Sequence, residues 1–463
     1  MKLHKIFPGF ILILLNGLFF FSACSYEPEI EEQPVQLTFS ADTIQFDTIF
    51  AERKSITRRL LVKNPSKNAI SIDQIGLSSN KDHFQLVVNG REGHSFANQL
   101  VLGNDSLLIL VEAYIDQTNE NNPFVIRDAL TFINRGNEQQ VVLEAWGQNA
   151  NYLNDSILVC DSRWTAKRPY ILSNNILVDS SCSLTIEPGT KIYSANNSFI
   201  LVAGTLKAEG TAENPVIFMN DRLDEPFASA PGQWGGIVFL EGSTDNYFSH
   251  TQIKNGVVGL NLNIFNRDGE ADVVVENSLI GNMTFSAVLS LNSEFTATNS
   301  VFFNTALGTI SHIGGGLATY QHCTIANYLN VAREQPAAFF SDFAVDNNEN
   351  QVINPLEINL FNSIIYGRNL EEVFFREEVA GYLSVTFSNN LFRTTNSQLN
   401  SNNSILNENP LFKEPNNSDF SLTETSPAVG KAIPGSTSFD IRGQLRDSTP
   451  DLGAYEFIPT ERE

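Results

Sequence analysis

Cysteine is scarce in this chain, with four in 463 residues, and no two form a C-x-x-C pair. That excludes the common zinc-binding spacings, and no metal or cofactor is expected. Basic residues are also few, 29 Lys and Arg against 52 Asp and Glu, for a formal charge of −23. A surface of that sign repels phosphate backbones, which excludes nucleic acid as a partner. Long apolar runs are missing too. The run at residues 10–21 is broken by Asn16 and Gly17, and twelve residues are too few to cross a bilayer as a helix. No long helical period appears, which argues against a bundle. What is present is a 42% hydrophobic content, enough for packed cores, with recurring Asn, Ser, Thr, Phe, Val and Ile, the usage of β-structure.

The chain starts with a short basic and apolar leader. Lys2 and Lys5 precede the apolar run, so residues 1–23 are expected to be a removable signal. Phe21-Ser22-Ala23-Cys24 resembles a bacterial lipobox, with Phe21 where that motif usually carries Leu. The resemblance implies that the Cys24 thiol accepts diacylglycerol and tethers the mature protein to a membrane without a spanning segment. Ser25-Tyr-Glu-Pro-Glu-Ile-Glu-Glu32 follows, four carboxylates and a proline in eight residues, a solvated tether over residues 24–34. It resembles the acidic export tag of Bacteroidetes surface lipoproteins, which implies an outer-membrane lipoprotein facing the exterior.

Residues 35–150 read as seven or eight short strands. Thr43-Ile-Gln-Phe46, Arg59-Leu-Leu-Val62, Ile70-Ser-Ile72, Leu107-Leu-Ile-Leu-Val111, Ala129-Leu-Thr-Phe-Ile133 and Val141-Val-Leu-Glu-Ala145 alternate or run apolar between polar turns. That length and pattern suggest a β-sandwich. It resembles the immunoglobulin-like domains that precede β-helices in Bacteroidetes surface proteins. A motif Asp-Ser/Thr-aliphatic recurs at Thr43, Thr48, Ser106 and Ser156. It resembles the O-glycosylation acceptor of exported Bacteroidetes proteins, and it also reads as an ordinary strand start.

From residue 151 the chain changes character. Ser183-Leu-Thr-Ile-Glu-Pro-Gly-Thr190, Leu201-Val-Ala-Gly-Thr-Leu206, Asn214-Pro-Val-Ile-Phe218 and Trp234-Gly-Gly-Ile-Val-Phe239 are short strands between tight turns. Each is too small to bury its own face, so they need neighbours to stack on. A second phrase, apolar-x-Asn-Ser-x-apolar, then repeats. Its Asn slot holds His250, Asn277, Asn299, His322, Asn362 and Asn389, at steps of 27, 22, 23, 40 and 27 residues. Twenty-odd residues fit one coil of three short strands. Asn tolerates the left-handed conformation a corner requires, and copies stacked about 4.8 Å apart are expected to form a side-chain amide ladder. His250 and His322 are read as corner residues, not catalysts. Phe302, Ile325, Ile365 and Phe392 are expected in the core. Cys160 and Cys182, one coil apart, either stack as a disulfide or remain two buried thiols.

These phrases resemble bacterial surface proteins with a right-handed parallel β-helix of pectin-lyase-like fold. Residues 151–415 are expected to be that helix. Residues 416–463, with Asp440, Arg442, Arg446, Asp451 and Glu456, are expected to be a cap over its last coil. The fold class is therefore all-β, an immunoglobulin-like sandwich followed by a capped β-helix. The lyases and hydrolases of this fold need clustered carboxylates, with a basic residue or a His-Gly element. The repeated strands carry Asn, Ser and Thr instead, and His312 is followed by Ile313. Residues 268–272 are an acidic turn without calcium-loop spacing. The 40-residue step implies an excursion over residues 329–355, carrying Arg333, Glu334, Phe339, Phe340, Asp342 and Phe343, where function would sit on a solenoid. Three readings stay open: a non-catalytic binding or structural module for glycans or cell contact, a polysaccharide lyase or hydrolase, and a component of an envelope assembly.

Overall fold

The computed structural model describes residues 28–79, 82–265, 268–345, 349–435 and 437–459. The leader and Cys24 lie outside the described residues. The chain divides into two compact units, one ending at Gln148 and the other running from Asn149, with residues 120–122 joining the second.

The first unit is built from two five-stranded sheets, ten strands among the described residues. One sheet takes its centre from Arg58–Lys63, Ser106–Ala113 and Phe84–Val88. The other centres on Asn137–Gln148, Phe124–Asn134 and Ile70–Leu77. Period-two alternation sets the inner faces: Leu60 and Val62, Leu107, Ile109 and Val111, and Leu130 and Phe132 are buried in one cluster. Pairing is antiparallel except between Asn137–Gln148 and Thr43–Phe50, which run parallel. The strands that exceed the seven or eight expected include Arg91–Gly93 and Ser95–Val101. Both lie at sheet edges, where little burial is required and the sequence shows little alternation.

In the second unit twenty-five strands among the described residues pair in parallel, coil after coil, with register shifts at residues 154–156 and 291–293. One interior row shows the principle. Ile253, Ile280, Phe302, Ile325, Ile365 and Phe392 lie directly over one another, and all are fully buried. From residue 250 onward, six coils turn between their first and second strands within one or two residues, the first of them left-handed. That residue is His250, Asn277, Asn299, His322, Asn362 or Asn389, with φ between 44° and 52°. Each donates its backbone N–H to a carbonyl of the next coil, for example His250 to Glu276 and Asn277 to Thr298. Cys160 and Cys182 stack one coil apart and are disulfide-linked, with Cα atoms 4.6 Å apart.

The ladder of side chains at this corner differs from expectation. The residue after the slot forms it: the Ser278 Oγ accepts from Thr251 N, the Ser300 Oγ from Ser278 N, and the Ser363 Oγ from Cys323 N, at 3.0–3.1 Å. These hydroxyls satisfy buried backbone groups, whereas the slot side chains of Asn299, Asn362 and Asn389 bond the C-terminal segment, and within the slot column His322 and Asn362 lie 3.0 Å apart. A true amide ladder does occur, one strand later, where Asn282 donates to Asn255 and Asn255 to Asn220 at 2.8 and 2.7 Å.

The excursion is narrower than expected. Ala338–Ser341 is a regular strand of the coil, paired with Ile310–Gln321 and Val373–Arg376. Phe340 is therefore interior, and Phe339 stacks outward on Phe374 at 5.9 Å. After that strand a hairpin, Phe343–Val345 with Gln351–Ile353, leaves the coil, and Arg376 covers Phe343 at 4.8 Å. The preceding loop is pinned by the Arg333 guanidinium on buried Glu372, 2.6 Å away.

The C-terminal segment is not a lid over the last coil. Leu399, on the turn Ser397–Leu399, is buried in the interior cluster at that end. Residues 412–457 instead strap the flank of the helix. Phe412, Phe420, Leu422, Ala428, Leu452 and Ala454 pack on the outward side of the second strand column, against Val301, Phe303, Ala326, Ile364, Tyr366 and Leu391. The outward side chains of those strands are apolar, so a flank rather than an end needed cover.

Candidate functional site

The slot corner is where the helix and its strap meet. Asn299 donates from Nδ2 to the Phe439 carbonyl at 2.8 Å. Asn362 accepts the Ile433 N–H on Oδ1 at 2.9 Å, and its Nδ2 faces the Ile433 carbonyl at 3.5 Å. Asn389 donates to the Lys431 carbonyl at 2.8 Å. Three slots of the column thus read main-chain groups of the strap, which climbs from the last coil towards earlier ones.

A buried ionic knot locks this arrangement. Arg446 donates to Glu456 at 3.0 Å, to Asn299 at 3.1 Å and to the Gly453 carbonyl at 3.0 Å. Asp440 accepts the N–H groups of Arg442, Gln444 and Glu456. Asp451 accepts those of Gly430 and Phe457. Burial pushes the Asp451 carboxyl up to about 6, against those backbone donors. Burial lowers the Arg446 pKa, opposed chiefly by Glu456. Under the strap His322 is fully buried, with Nε2 3.0 Å from the Asn362 amide. Its pKa falls to about 3, from burial first and the Arg446 charge second, so the ring is neutral.

The strap leaves the corner at the turn Asp440 to Gln444, with Gly443 at φ 75°. Beyond that turn a pocket of about 230 Å³ opens on the next two coils. His250, Asn277 and Gln252 line it from the helix, and Ile441, Arg442 and Tyr455 from the strap. The His250 Nδ1 lies 2.9 Å from the Ser249 hydroxyl. Burial lowers its pKa, and Glu213 and Glu276 oppose that. The Arg442 guanidinium lies over the Tyr455 ring at 5.0 Å and bonds Asp440 and the Glu456 carbonyl. Sequence reading picked out His250 and Asn277 but not Gln252 or Tyr455, because only the strap brings these four together.

The remaining candidates lie apart from this pocket. Thr43, Thr48 and Ser156 are half-buried, and Ser106 is exposed at a strand start. His312 is interior, with Nε2 2.8 Å from the Tyr320 hydroxyl and its ring stacked on Phe340. Burial takes its pKa to about 3. In the acidic turn, Gly269 N donates to Glu294 and Asp272 accepts the Glu294 N–H, so the turn is tied to the next coil. Among the described residues no group of three or more His, Cys, Asp or Glu is placed to hold a metal ion.

A pectate-lyase-like beta helix domain is the family description matched, over residues 157–263. No curated protein matches. Among solved structures, the chain is similar to the catalytic domain of a GH87 alpha-1,3-glucanase solved with tetrasaccharides, at 12% identity, over 72% of this chain and 81% of that one, TM-score 0.17. It is also similar to an ASH/PapD-like domain of human CEP192, at 10% identity, over 27% of this chain and 91% of that one, TM-score 0.18. A protein of unknown function from Porphyromonas gingivalis matches at 10% identity, over 27% of this chain and 60% of that one, TM-score 0.18. At these scores the structural likenesses carry no argument about activity.

Proposed function

We propose that this protein is a lipid-anchored component of the bacterial outer envelope, held through Cys24, whose β-helix is a non-catalytic binding or structural module. The observation that carries the reading is how the reactive side chains of the corner are used. Asp440, Asp451, Glu456 and Arg446 hold the strap, and His312 and His322 are buried and neutral. What stays open to solvent is the pocket at His250, lined by two amides, two threonines and an Arg that is already paired. Such a lining suits recognition. Of the carboxylates whose charge reaches His250, Glu276 is held by the Tyr247 hydroxyl at 2.6 Å, and the ring's own described partner is the Ser249 hydroxyl.

The purified mature protein is to be incubated with a panel of acidic and neutral polysaccharides and new reducing or unsaturated ends measured. The expected result is none; reproducible cleavage ends the non-catalytic reading. For the anchor, Cys24→Ser is expected to move the protein from the membrane to the soluble fraction. The same reading places O-glycans on Thr43, Thr48, Ser106 or Ser156, and an intact mass equal to peptide plus lipid would remove them.

A further inference from the structure

The slot column does not stop where the strap turns away. The next two slots, Asn277 and His250, have the same left-handed backbone, φ 48° and 44°, and stay in register with the strapped ones through the pairing of Ser249, Glu276 and Thr298. Each of the three strapped Asn side chains bonds a main-chain group of the strap, and Asn299 accepts from the Arg446 and Thr437 side chains besides. At the open end, the carboxamides of Asn277 and Gln252 and the His250 Nε2 are hydrogen-bonded to no described residue, and all three face the pocket. Planar donor–acceptor groups left half-buried without partners favour a ligand that supplies them.

We propose that this pocket docks an extended polypeptide segment of another protein, read through its main-chain amides as a continuation of the strap along the corner. This deepens the binding-module reading above and rests on it. The molecule itself shows how such slots are filled: Asn362 takes both the N–H and the carbonyl side of Ile433. An arriving segment would present the same groups to Asn277 and, one coil on, to His250. Its side chains would alternate between solvent and the apolar patch of Ala212, Pro215, Leu279 and Ile441. A sugar is the weaker candidate. Tyr455 is the one phenol ring lining the pocket, and the Arg442 guanidinium lies over it at 5.0 Å, competing for the face on which a pyranose would stack.

The test pans a phage-displayed random heptapeptide library on the immobilised mature protein. Enriched sequences are then synthesised and measured by fluorescence polarisation. Asn277→Gly removes the carboxamide while keeping a residue that accepts φ 48°, so the corner still folds. Gln252→Ala is a second variant on a strand, free of any corner strain. Asn261→Ala, on another strand column, is the control. Peptides that bind the wild type, lose about tenfold with Asn277→Gly and with Gln252→Ala, and are indifferent to Asn261→Ala support the proposal. No enrichment, or peptides indifferent to both pocket variants, overturns it. So does an oligosaccharide array whose binding depends on Asn277, or self-association of the protein that Asn277→Gly abolishes. Those two outcomes leave the non-catalytic reading standing, whereas polysaccharide cleavage removes that reading without bearing on peptide binding.

Discussion

His250 and His322 occupy the same corner of the coil, three rungs apart, with φ 44° and 51°, yet they live in different surroundings. Both give their backbone N–H to the rung beyond, His250 to Glu276 and His322 to Phe361. His322 lies under the strap, fully buried, bonded to the Asn362 amide and close to the Arg446 charge. His250 stands past the strap's last turn and faces a pocket. The backbone asks the same thing of each residue, a left-handed bend. What the side chain does is decided by whether the C-terminal segment reaches it. A repeating coil supplies equivalent positions, and an irregular segment laid along it divides them into structural and available ones.

The largest test of that division removes the knot that holds the strap. Arg446→Ala leaves Glu456 buried without its cation and takes that charge from beside Asp451, while Asp440 keeps Arg442, and such a break costs about 3–5 kcal/mol. The urea midpoint is expected to fall accordingly, and a protease is expected to cut within residues 412–457 while the coil survives. Loss of less than about 1 kcal/mol, or no new cleavage, would mean that the knot does not secure the strap.

The second test uses acid. His322 has an ordinary value of 6.5 and a folded value of about 3, so below pH 6.5 the unfolded chain binds a proton that the folded chain refuses. Its contribution is fully present above pH 6.5 and is lost as pH falls towards 3, by at most about 1.4 kcal/mol per pH unit. His312, also at about 3, behaves the same way from the interior. Asp451 has the opposite sign: its raised value favours the folded state at acid pH, and that help is lost as pH rises through about 6. His322→Asn places at the corner the residue found in four of its six slots, and it cannot titrate. Unfolding measured from pH 7 to pH 4 is expected to show a shallower acid loss in His322→Asn than in the wild type. In an NMR titration of the wild type, the His250 signals are expected to move at higher pH than those of His322.

The coil itself was legible in the sequence, because each rung repeats the same inward residues and the same corner. Phe302, Ile325, Ile365 and Phe392 stack as the phrase predicts, since period-two alternation fixes which face each occupies. The strap was not legible. Its bonds to the slots join residues 42 to 147 positions apart, such as Lys431 with Asn389 and Arg446 with Asn299, and no local pattern records them. The charges of the tail were visible, and they suggested a cap; that they clamp a flank follows from the apolar outer side of Val301, Phe303 and Tyr366, which the phrase carries without explaining. The 40-residue step misled for a related reason. It holds two insertions with one ordinary strand between them, so Phe340 was assigned to a loop when its neighbours in register are His312 and Phe375.

The smallest expected effect is the sharpest comparison. Asn299→Gly and Asn277→Gly make the same chemical change at adjacent slots with nearly the same φ, 50° and 48°. The backbone entropy cost of glycine is shared, so it cancels when the two are subtracted. At Asn299 the substitution takes an acceptor from the buried Arg446 guanidinium and a donor from the Phe439 carbonyl, a loss of about 1–3 kcal/mol. At Asn277 it removes a carboxamide that no described residue uses, and a change of that kind lies within about 0.5 kcal/mol. Chemical denaturation of both variants side by side is expected to show Asn299→Gly the less stable. Equal losses would mean that Asn277 is already engaged in holding the fold, and the pocket would then have no slot to offer a partner.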